Sequence, residues 1–573
     1  MRLFTAMNDT RQLRRVARDR FGWSKLRAHQ LAAMRAVMSG RDTLVVAPTG
    51  GGKSGVYQVP ATLLPGPTIV VSPLLALQQD QIAGLNARDH ATLAAVRLSS
   101  AESPAERRAA IEALRSGEVE FVFLTPEQLA DPDRLAEIRA LKPSLIAIDE
   151  AHCISAWGHD FRPDYLQLGR IINDLGRPPV VALTATASPP VRDDIVARLG
   201  LRDPRVIVAG LDRPNLFLEA TQCPDEEYRW RRLLARVQES PPPGIVYAPT
   251  RRTTEELAAR FTAAGVPAAA YHGGMSGAER ERCHEAFLAD EVPVMVATTA
   301  FGMGIDKPNL RWVNHVSLPD SPDSYFQEIG RAGRDGEPAQ ALLLHRTEDS
   351  GMRKFFSSVT VDLDELSQLA ALLRAAERPL TRAALRESTG LGPRRLGQLL
   401  TLLEEVGGAV TVRGAKVRAP RYGPEPREAA ELAVRQAERR QTVQRSRLDM
   451  MRHFAETDHC RGQAILAYFG DHLDSLCGHC DNCYTGAAAQ AAGGAAAAAP
   501  DPDVPATRAG TAGDATAAEL FPVHSTVRHA AWGAGMVLQY AGDQMTVLFD
   551  DVGYKTLSVP VVEENGLLAA EPV

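Results

Sequence analysis

LVVAPTGGGKSGVYQVPA, residues 44–61, places three glycines, a lysine and a serine between an apolar run and a helix-like segment. Glycines let backbone N–H groups turn toward phosphate oxygens, and a following helix presents its positive end to them. Lys53 would neutralise charge on the β and γ phosphates, and Ser54 would hold Mg²⁺. Only Ala47 departs from the strict phosphate-loop pattern. The stretch predicts a nucleoside triphosphate site before a helix that begins near Lys53.

A pair of acidic residues follows another apolar run, LIAIDEAH at residues 145–152. Mg²⁺ needs a carboxylate and an attacking water needs a base. We expect Asp149 to contact Mg²⁺ through water and Glu150 to orient or deprotonate the attacking water. An Asp-Glu pair after a strand also occurs by chance. Its position about one hundred residues beyond the glycine-rich loop, with strands between, favours the joint interpretation.

Two arginines in QEIGRAGRDG, residues 327–336, are candidates for the cation that stabilises charge on the γ-phosphate. Arg331 and Arg334 are three residues apart, a spacing that puts both on one face of a helix. Supplied from a second domain, such a guanidinium makes hydrolysis depend on closure of a cleft. The alternative is a surface arginine pair that bonds to Asp335.

The strand pattern predicts an α/β fold. From about residue 20 to 205, the runs TLVVA, TIVVS, FVFLT, LIAID and VVALTAT alternate with helix-like segments, which is typical of a doubly wound parallel sheet. The pattern recurs from about 206 to 348 in GIVYAPT, AAAYHG, VMVATT and ALLLH. We therefore predict two tandem parallel-sheet lobes, residues 1–205 and 206–350.

The remaining sequence divides into four predicted segments. Residues 361–419 read as helices, a turn at Thr389-Gly390 and a β-ribbon, which fits a winged helix or any small helical bundle with a hairpin. A charged helix leads into a cysteine-containing subdomain over 425–484. Residues 485–520 are Ala, Gly, Pro, Asp and Thr with almost no large apolar side chain, so we expect a flexible linker. A small β-rich module, 521–573, follows as an autonomous tail.

Four of the seven cysteines are clustered. Cys460, Cys477, Cys480 and Cys483 provide enough thiolates to close a tetrahedral structural Zn²⁺ site. The Cys-x2-Cys-x2-Cys run could instead hold an iron–sulfur cluster. Without an export signal, the cluster favours a metal site over disulfides.

Composition and charge bear on membrane insertion, export and nucleic-acid binding. No run approaches the roughly 20 apolar residues of a membrane span, so we expect no membrane insertion. The start, MRLFTAMNDTRQLRR, has no apolar region of an export signal, which predicts the cytoplasm. The net charge of −6 does not by itself indicate a nucleic-acid partner, because such a partner is bound by a local basic surface and not by the average charge of the chain.

Eight stretches taken together resemble one family. These are FGWSKLRAHQ, APTGGGKS, VVSPLLALQQDQ, IDEAHCISAWGHDFRPDY, LTATA, YHGGM, ATTAFGMGIDKPNLR and YFQEIGRAGRDG. In this order they look like the motifs of a superfamily 2 helicase of the RecQ family. The resemblance covers about residues 15–350 and the cysteine segment, whose CRGQAILAYFGD and CGHCDNC are similar to the family's zinc-binding subdomain. It implies two RecA-like lobes.

The resemblance also implies roles for individual residues. Gln30 would read adenine, Asp149 and Glu150 would drive hydrolysis, and Arg334 would be the arginine finger. Phosphate and Mg²⁺ would be bound by Thr49, Gly50, Gly51, Gly52, Lys53 and Ser54, and the catalytic group would also include Gln327 and Arg331. His152, Thr184 and Thr186 would relay between nucleotide and DNA. The loop SAWGHDFR resembles the family's aromatic-rich loop, which couples single-stranded DNA to ATP turnover. Independently of the family, Trp157, His159, Phe161 and Arg162 could form a platform on which bases stack, and the alternative is a buried aromatic cluster.

Two departures from the family's layout stand out. Its winged-helix domain normally follows the zinc cysteines, whereas here a linker follows them and the winged-helix-like segment precedes them. The tail, with VRHAAWGAGMVL and MTVLFDDVGYKTLS, is similar to the Tudor-like C-terminal module of UvrD/PcrA-type helicases. This implies a protein partner, RNA polymerase or a repair factor, unless the tail is a small β-barrel without a ligand.

The resulting hypothesis is an ATP-dependent 3′–5′ DNA helicase that uses Mg²⁺ and Zn²⁺ and acts on single-stranded and forked or tailed duplex DNA in replication, recombination or repair. The misplaced wing leaves open an ATP-driven translocase, remodelling or annealing factor with weak strand separation. An RNA-only helicase is a weaker competitor, and a repair or transcription adaptor without catalysis is the non-enzymatic alternative.

Overall fold

The computed structural model of the chain describes residues 2–73, 75–86, 94–98, 103–155, 161–302, 307–349, 361–412, 416–494, 520–523, 525–541, 544–549 and 551–570. Its strands form two large sheets, a hairpin and a smaller antiparallel sheet. Within these ranges, no helix combines the length and the apolar character that crossing a membrane requires.

Lobe 1 is built on a seven-stranded parallel sheet. Its strands are β1 (Thr43–Val46), β2 (Thr68–Val71), β3 (Ala94–Arg97), β4 (Val119–Leu124), β5 (Leu145–Ile148), β6 (Val180–Thr184) and β7 (Arg205–Val208). They lie in the order β3-β4-β2-β5-β6-β1-β7. Leu44 and Val46 belong to one core and Val45 to another, because alternate residues of a strand face opposite sides of the sheet. Both faces are therefore buried under helices.

Helix α5 (Pro104–Ser116) of lobe 1 begins with a capping box. Ser103 Oγ accepts from Glu106 N at 3.3 Å, and Ser103 N donates to Glu106 Oε2 at 2.7 Å. The helices are α1 (Arg2–Phe21), α2 (Ala28–Met38), α3 (Gly55–Ala61), α4 (Leu75–Asn86), α5 (Pro104–Ser116), α6 (Pro126–Leu129), α7 (Pro132–Ala140), α8 (Leu168–Asp174) and α9 (Pro189–Leu199), with 3₁₀ turns at Ala151–Ile154 and Pro163–Gln167.

Lobe 2 repeats the design with six parallel strands. They are β8 (Leu216–Gln222), β9 (Gly244–Tyr247), β10 (Ala268–Tyr271), β11 (Val294–Ala297), β12 (Trp312–His315) and β13 (Ala339–His345), in the order β10-β11-β9-β12-β13-β8. The helices are α10 (Glu226–Glu239), α11 (Arg251–Ala263), α12 (Gly277–Leu288) and α13 (Pro322–Ile329). The two sheets confirm the predicted α/β class with tandem parallel-sheet lobes.

The segment after lobe 2 contains three helices and a hairpin. These are α14 (Leu363–Ala375), α15 (Arg382–Thr389), α16 (Pro393–Glu405), β14 (Val410–Val412) and β15 (Lys416–Arg418). Gly390 ends α15 at φ +69°, at the predicted turn. The leucines of α14 and α16 share a core with Ala429, Ala430 and Ala433 of the next helix. The elements match the predicted pattern, and the winged-helix assignment stays a prediction.

The next helix, α17 (Pro426–Glu456), is 31 residues long, about 46 Å. Three short helices follow it: α18 (Arg461–Tyr468), α19 (Asp481–Thr485) and α20 (Ala487–Gly494). The linker predicted over 485–520 therefore begins with a helix, which its run of alanines explains. Residues 495–519 of that linker lie outside the described part.

The C-terminal module is a five-stranded antiparallel sheet in the order β19-β18-β17-β16-β20. Its elements are β16 (Thr526–His529), β17 (Gly533–Ala541), β18 (Gln544–Phe549), β19 (Gly553–Ser558), α21 (Val559–Asn565) and β20 (Leu568–Ala570). One face has its own core, while Leu538, Leu548 and Tyr554 join the core of lobe 2 and α17. The module is packed onto the rest of the chain, and the expectation of an autonomous tail is wrong in that respect.

Candidate functional site

The glycine-rich loop between β1 and α3 is held partly by its own lysine. Lys53 Nζ donates to Ala47 O at 3.0 Å and to Pro48 O at 3.4 Å. Gly50 and Gly52 have φ values of +78° and +73°, a conformation that glycine adopts without steric cost. Helix α3 begins at Gly55, later than predicted, so Lys53 lies in the turn before the helix.

The start of α2 holds three successive carbonyl groups of this loop. Arg27 Nη1 donates to Gly50 O at 3.0 Å, His29 Nε2 to Gly51 O at 3.1 Å and Gln30 Nε2 to Gly52 O at 2.9 Å. With these carbonyl groups engaged by α2, the loop has a defined orientation before nucleotide binds. Gln30 was predicted as a site residue, whereas Arg27 and His29 were not.

The acidic pair lies at the end of β5, beside the glycine-rich loop. Asp149 is 7% exposed, and its carboxylate accepts from Gln81 Nε2 at 3.2 Å and from Glu150 N at 3.0 Å. Glu150 adopts the left-handed conformation, with φ 48° and ψ 46°. Residues other than glycine pay a strain energy there, and such strain is concentrated at functional sites.

Electrostatic effects connect the loop to the acidic pair and to lobe 2. Burial lowers the pKa of Lys53, Glu150 and Asp149 oppose that shift, and Arg334 reinforces it. Burial likewise raises the pKa of Asp149, against the effect of Lys53. Two cations and two carboxyl groups from separate segments therefore act on one another electrostatically, as binding and cleaving a triphosphate needs.

A buried polar chain leads away from Glu150. His152 Nδ1 lies 3.3 Å from Glu150 Oε2 and 2.9 Å from Thr184 Oγ1, and His152 is fully buried. Thr184 Oγ1 donates to Thr186 O at 2.9 Å and accepts from Thr186 N at 3.2 Å. The predicted relay residues are thus in contact, from the acidic pair to the end of β6.

The two arginines of lobe 2 follow α13 rather than lying on it. The helix ends at Ile329, and Gly333 has φ +61°. A Cβ on Gly333 would lie 2.6 Å from Asn215 Nδ2, so the chain must turn tightly here. The prediction that Arg331 and Arg334 share a helical face is therefore wrong: the local spacing of the sequence concealed the turn.

This arginine turn, residues 330–334, presents Arg334 to lobe 1. A Cβ placed on Gly50 would lie 3.6 Å from Arg334 Cγ, whereas Arg331 points toward Gly302, where the equivalent distance to Nη2 is 3.6 Å. Arg213 holds the turn, donating to Ala332 O at 2.7 Å and to Gly333 O at 2.9 Å. Its role was not predicted.

The cleft between the lobes contains the remaining predicted catalytic residue. Gln327 of α13 lines it together with Thr49 and Thr186 of lobe 1. The cleft thus combines the glycine-rich loop, the end of β6 and the helix before the arginine turn.

The four clustered cysteines form a group suited to a metal ion. The Sγ atoms of Cys460, Cys477, Cys480 and Cys483 all lie within 4.8 Å of one another. Tetrahedral Zn²⁺ with bonds of about 2.3 Å separates its sulfur ligands by about 3.8 Å. Cys477 Sγ and Cys483 Sγ are 3.8 Å apart.

Backbone N–H groups also support thiolates at this site. Cys477 N donates to Cys460 Sγ at 3.3 Å, and Cys483 N donates to Cys480 Sγ at 3.4 Å. A Cβ on Gly462 would lie 2.9 Å from Cys477 Sγ, so only glycine leaves room for that ligand. These features fit Zn²⁺ held by four cysteines.

Comparison with known proteins identifies the family. Residues 27–195 match the DEAD/DEAH box helicases, 229–336 the helicase conserved C-terminal domain and 427–484 the RecQ zinc-binding domain. The probable ATP-dependent DNA helicase RecS of Bacillus subtilis is 34% identical over 467 residues, which is 80% of this chain and 90% of RecS. The chain belongs to the RecQ helicase family. The resemblance noted in the sequence is thereby confirmed.

Other RecQ-family relatives are longer than the matched region. The ATP-dependent DNA helicase RecQ of Haemophilus influenzae is 34% identical over 82% of this chain and 63% of its own length. That of Pasteurella multocida is 41% identical over 57% of this chain and 51% of its own length. The chain thus spans between half and two thirds of these two RecQ proteins.

The structure describes the aromatic-rich loop of this RecQ-family chain only at its two ends, Ser155 and residues 161–162. Trp157 and His159 lie outside the described residues. The ring of Phe161 carries the Arg440 guanidinium 4.5 Å above it, and Arg440 Nη1 bonds to Glu405 Oε1 at 2.9 Å. Arg162 Nη1 donates to Pro73 O at 3.1 Å. The loop's end is therefore in contact with α17, and Arg440 links it in turn to α16, which the sequence did not indicate.

Proposed function

We propose that this chain hydrolyses ATP to unwind duplex DNA while moving 3′ to 5′ along one strand. The observation that carries the proposal is the packing of Arg334 from lobe 2 against Gly50 of lobe 1. Because the groups for hydrolysis come from two lobes, turnover would be tied to lobe movement, as a motor requires. The relatives named as ATP-dependent DNA helicases support DNA as the polymer.

The contacts support distinct roles at the nucleotide. The glycine-rich loop and Lys53 would bind the phosphates, and Gln30 would read adenine once released from Gly52. Ser54 would supply an oxygen ligand to Mg²⁺ and Asp149 would contact the ion through water, and the ion would neutralise phosphate charge when bound. Glu150, beside His152, would orient the attacking water or accept its proton.

On the DNA side, we propose that the aromatic-rich loop reports the presence of a single strand. His152, Thr184 and Thr186 form a continuous buried chain from Glu150 to the cleft. Phosphate contacts along the cleft would be largely independent of sequence, so tailed and forked duplexes are the expected substrates. Arg440 stacking on Phe161 would be displaced when a base takes its place.

Changing Glu150 to glutamine is expected to lower kcat for DNA-stimulated ATP hydrolysis by about 10²- to 10⁴-fold, because the amide cannot accept the proton. KM for ATP should change little, since the phosphate ligands remain. Phosphate release measured over an ATP series tests this, with the exposed Glu256→Gln as the matched control. Unchanged phosphate release in Glu150→Gln would contradict the role of Glu150 in activating the attacking water. It would favour the alternative of a repair or transcription adaptor without catalysis.

Strand separation should require Lys53. We expect wild-type protein to unwind a duplex with a 3′ single-stranded tail and not one with a 5′ tail, and Lys53→Ala to lower the rate by about 10²-fold or more. A fluorescence assay on both duplexes measures this, with the surface variant Lys25→Ala as a control.

Two other results would redirect the proposal. Unwinding of the 5′-tailed duplex alone would contradict the polarity. DNA-stimulated hydrolysis without strand separation would favour the translocase or annealing alternative. The winged-helix-like segment motivates that alternative, because it packs on α17 ahead of the cysteines.

We further propose that the C-terminal module binds a protein partner, RNA polymerase or a repair factor. Its resemblance to a Tudor-like module motivates this, and a half-buried aromatic pair supports it. The rings of His529 and Trp532 stack at 4.1 Å, with Lys555 Nζ 5.6 Å from the Trp532 ring. We propose that the protein acts in the bacterial cytoplasm, on nucleoid DNA, because the RecS and RecQ relatives named above are bacterial.

A further inference from the structure

The C-terminal module contacts α17 through its backbone. Gly553, at the start of β19, has φ +72°, and a Cβ there would lie 2.3 Å from Ser446 Oγ and 3.4 Å from Val443 Cα. Ser446 is 5% exposed. The strand thus rests directly on the helix, an approach that only glycine permits. The module lies outside the three regions matched to known families.

A buried chain of hydroxyl groups extends this contact to lobe 2. The rings of Tyr554 in β19 and Tyr468 in α18 stack at 5.5 Å with 28° between their planes. Tyr554 OH donates to Tyr468 OH at 3.3 Å, and Tyr468 OH donates to Asp323 Oδ2 through a short hydrogen bond. Asp323 lies in the first turn of α13. Three separate elements are therefore joined by two hydrogen bonds.

The side chains of this hydrogen-bonded chain are buried, so water cannot replace a lost partner. Asp323 is 1% exposed, Tyr468 2%, Tyr554 4% and Arg447 of α17, whose guanidinium attracts the Asp323 carboxylate, 4%. A buried carboxylate requires hydrogen-bond donors and a compensating charge, so losing one partner is costly. The first turn of α13 is consequently held by Tyr468 of α18, which itself accepts a hydrogen bond from Tyr554 of β19, with the charge of Arg447 of α17 nearby.

Helix α13 carries Gln327 and leads directly into the arginine turn. Gln327 lies one turn after Asp323 and lines the cleft, and the arginine turn begins where the helix ends at Ile329. Arg213, three residues before β8, donates to two carbonyl groups of the arginine turn and so ties that turn to the start of β8. A shift of α13 would therefore move Gln327 and Arg334 relative to Gly50.

We propose that the C-terminal module is a fixed part of the motor, in which Tyr554 is a positioning residue that sets α13, and with it Gln327 and Arg334, against the glycine-rich loop of lobe 1. The inference rests on the proposed ATP hydrolysis. It assigns the module a role in turnover that is separate from any protein partner.

The test compares full-length Tyr554→Ala and Tyr554→Phe with wild type. Displacing a catalytic group by about 1 Å can cost 10²-fold, so we expect kcat for DNA-stimulated hydrolysis to fall about 10- to 100-fold in Tyr554→Ala. KM for ATP and zinc content should stay unchanged. Tyr554→Phe keeps the ring stack but removes the hydroxyl that donates to Tyr468, so its kcat should lie between those of Tyr554→Ala and wild type. Tyr228→Ala, on the outer helix α10 of lobe 2, is the matched control.

A second pair of variants covers the case in which Tyr554→Ala fails to fold. Ser446→Leu would push β19 off α17, and Gln444→Leu adds the same side chain at an exposed position of that helix. We expect only Ser446→Leu to reduce kcat. Wild-type kcat in both Tyr554→Ala and Ser446→Leu would overturn the positioning role, as would an equal loss in Tyr228→Ala. Absence of hydrolysis in wild type would instead contradict the proposed function.

Discussion

Replacing Arg334 with alanine is expected to lower kcat for DNA-stimulated ATP hydrolysis by about 10³- to 10⁵-fold, the range known for arginine fingers. The guanidinium would neutralise charge that grows on the γ-phosphate in the transition state. Binding of ground-state ATP depends mainly on the glycine-rich loop and Lys53. KM for ATP should therefore change far less than kcat.

Two further variants, Arg334→Lys and Arg252→Ala, distinguish a specific role of the Arg334 guanidinium from a general effect of removing a positive charge. Arg334 packs on Gly50, whereas Arg331 lies beside Gly302. Arg334→Lys should recover little, because an ammonium cannot present two fixed N–H donors to a phosphate. Arg252→Ala, in which an arginine with an 88% exposed side chain is removed from α11, should retain full activity.

Steady-state ATP hydrolysis with single-stranded DNA, followed by single-turnover kinetics, measures the effect. A slow single-turnover step in Arg334→Ala assigns the loss to chemistry. Wild-type kcat in Arg334→Ala, alongside a strong loss in Arg331→Ala, would transfer the finger role to Arg331 and would require the cleft to close differently from the arrangement seen here.

The sequence predicted the fold well because parallel strands leave a strong local signal. TLVV, TIVV and LIAI are buried on both faces and bounded by turns, so their apolar runs identify them without tertiary information. Helix α16 (Pro393–Glu405) lies in the segment read as helical from the sequence, and the proline at its first position is a strong local signal for a helix start.

The errors arose where tertiary contacts override local pattern. The i, i+3 spacing of Arg331 and Arg334 suggested a helix, but the crowding of Gly333 against Asn215 and Ala339 imposes a turn. The composition of 485–520 suggested a linker, yet its first alanines form α20. The tail was expected to be autonomous because a linker precedes it. The Tyr554–Tyr468–Asp323 chain, which attaches the tail to lobe 2, joins residues far apart in the sequence, so no local pattern indicates it.

The site residues that escaped prediction share one property. Arg27, His29, Arg213 and Arg440 each act through a contact with a distant segment. A single arginine or histidine on a helix or loop has no motif of its own. For Arg27 and His29, the signals in the sequence are their place in the stretch FGWSKLRAHQ and their closeness to Gln30, since residues at a helix start can all reach one neighbouring loop.

The zinc site should be essential for the fold of the cysteine subdomain. Cys480 is fully buried, and its sulfur accepts from Cys483 N at 3.4 Å. The subdomain also binds lobe 2: Leu218 N donates to His479 O at 3.1 Å, and Ala220 N to Asp481 Oδ2 at 3.0 Å. Structural Zn²⁺ contributes on the order of 10 kcal/mol to folding in small zinc domains. Losing one ligand should therefore release the subdomain from lobe 2.

Cys480→Ala is accordingly expected to reduce bound zinc from about one ion per chain to near zero, and to make residues 457–485 sensitive to protease, because three thiolates leave the site open. Elemental analysis and limited proteolysis measure both effects. Cys283→Ala removes a half-buried thiol from lobe 2 and should keep full zinc content. Iron with visible absorption in the wild-type protein would instead establish the iron–sulfur alternative. Full zinc retention in Cys480→Ala would exclude that thiolate as a ligand, and protease resistance without zinc would show that packing against β8 suffices to hold the subdomain.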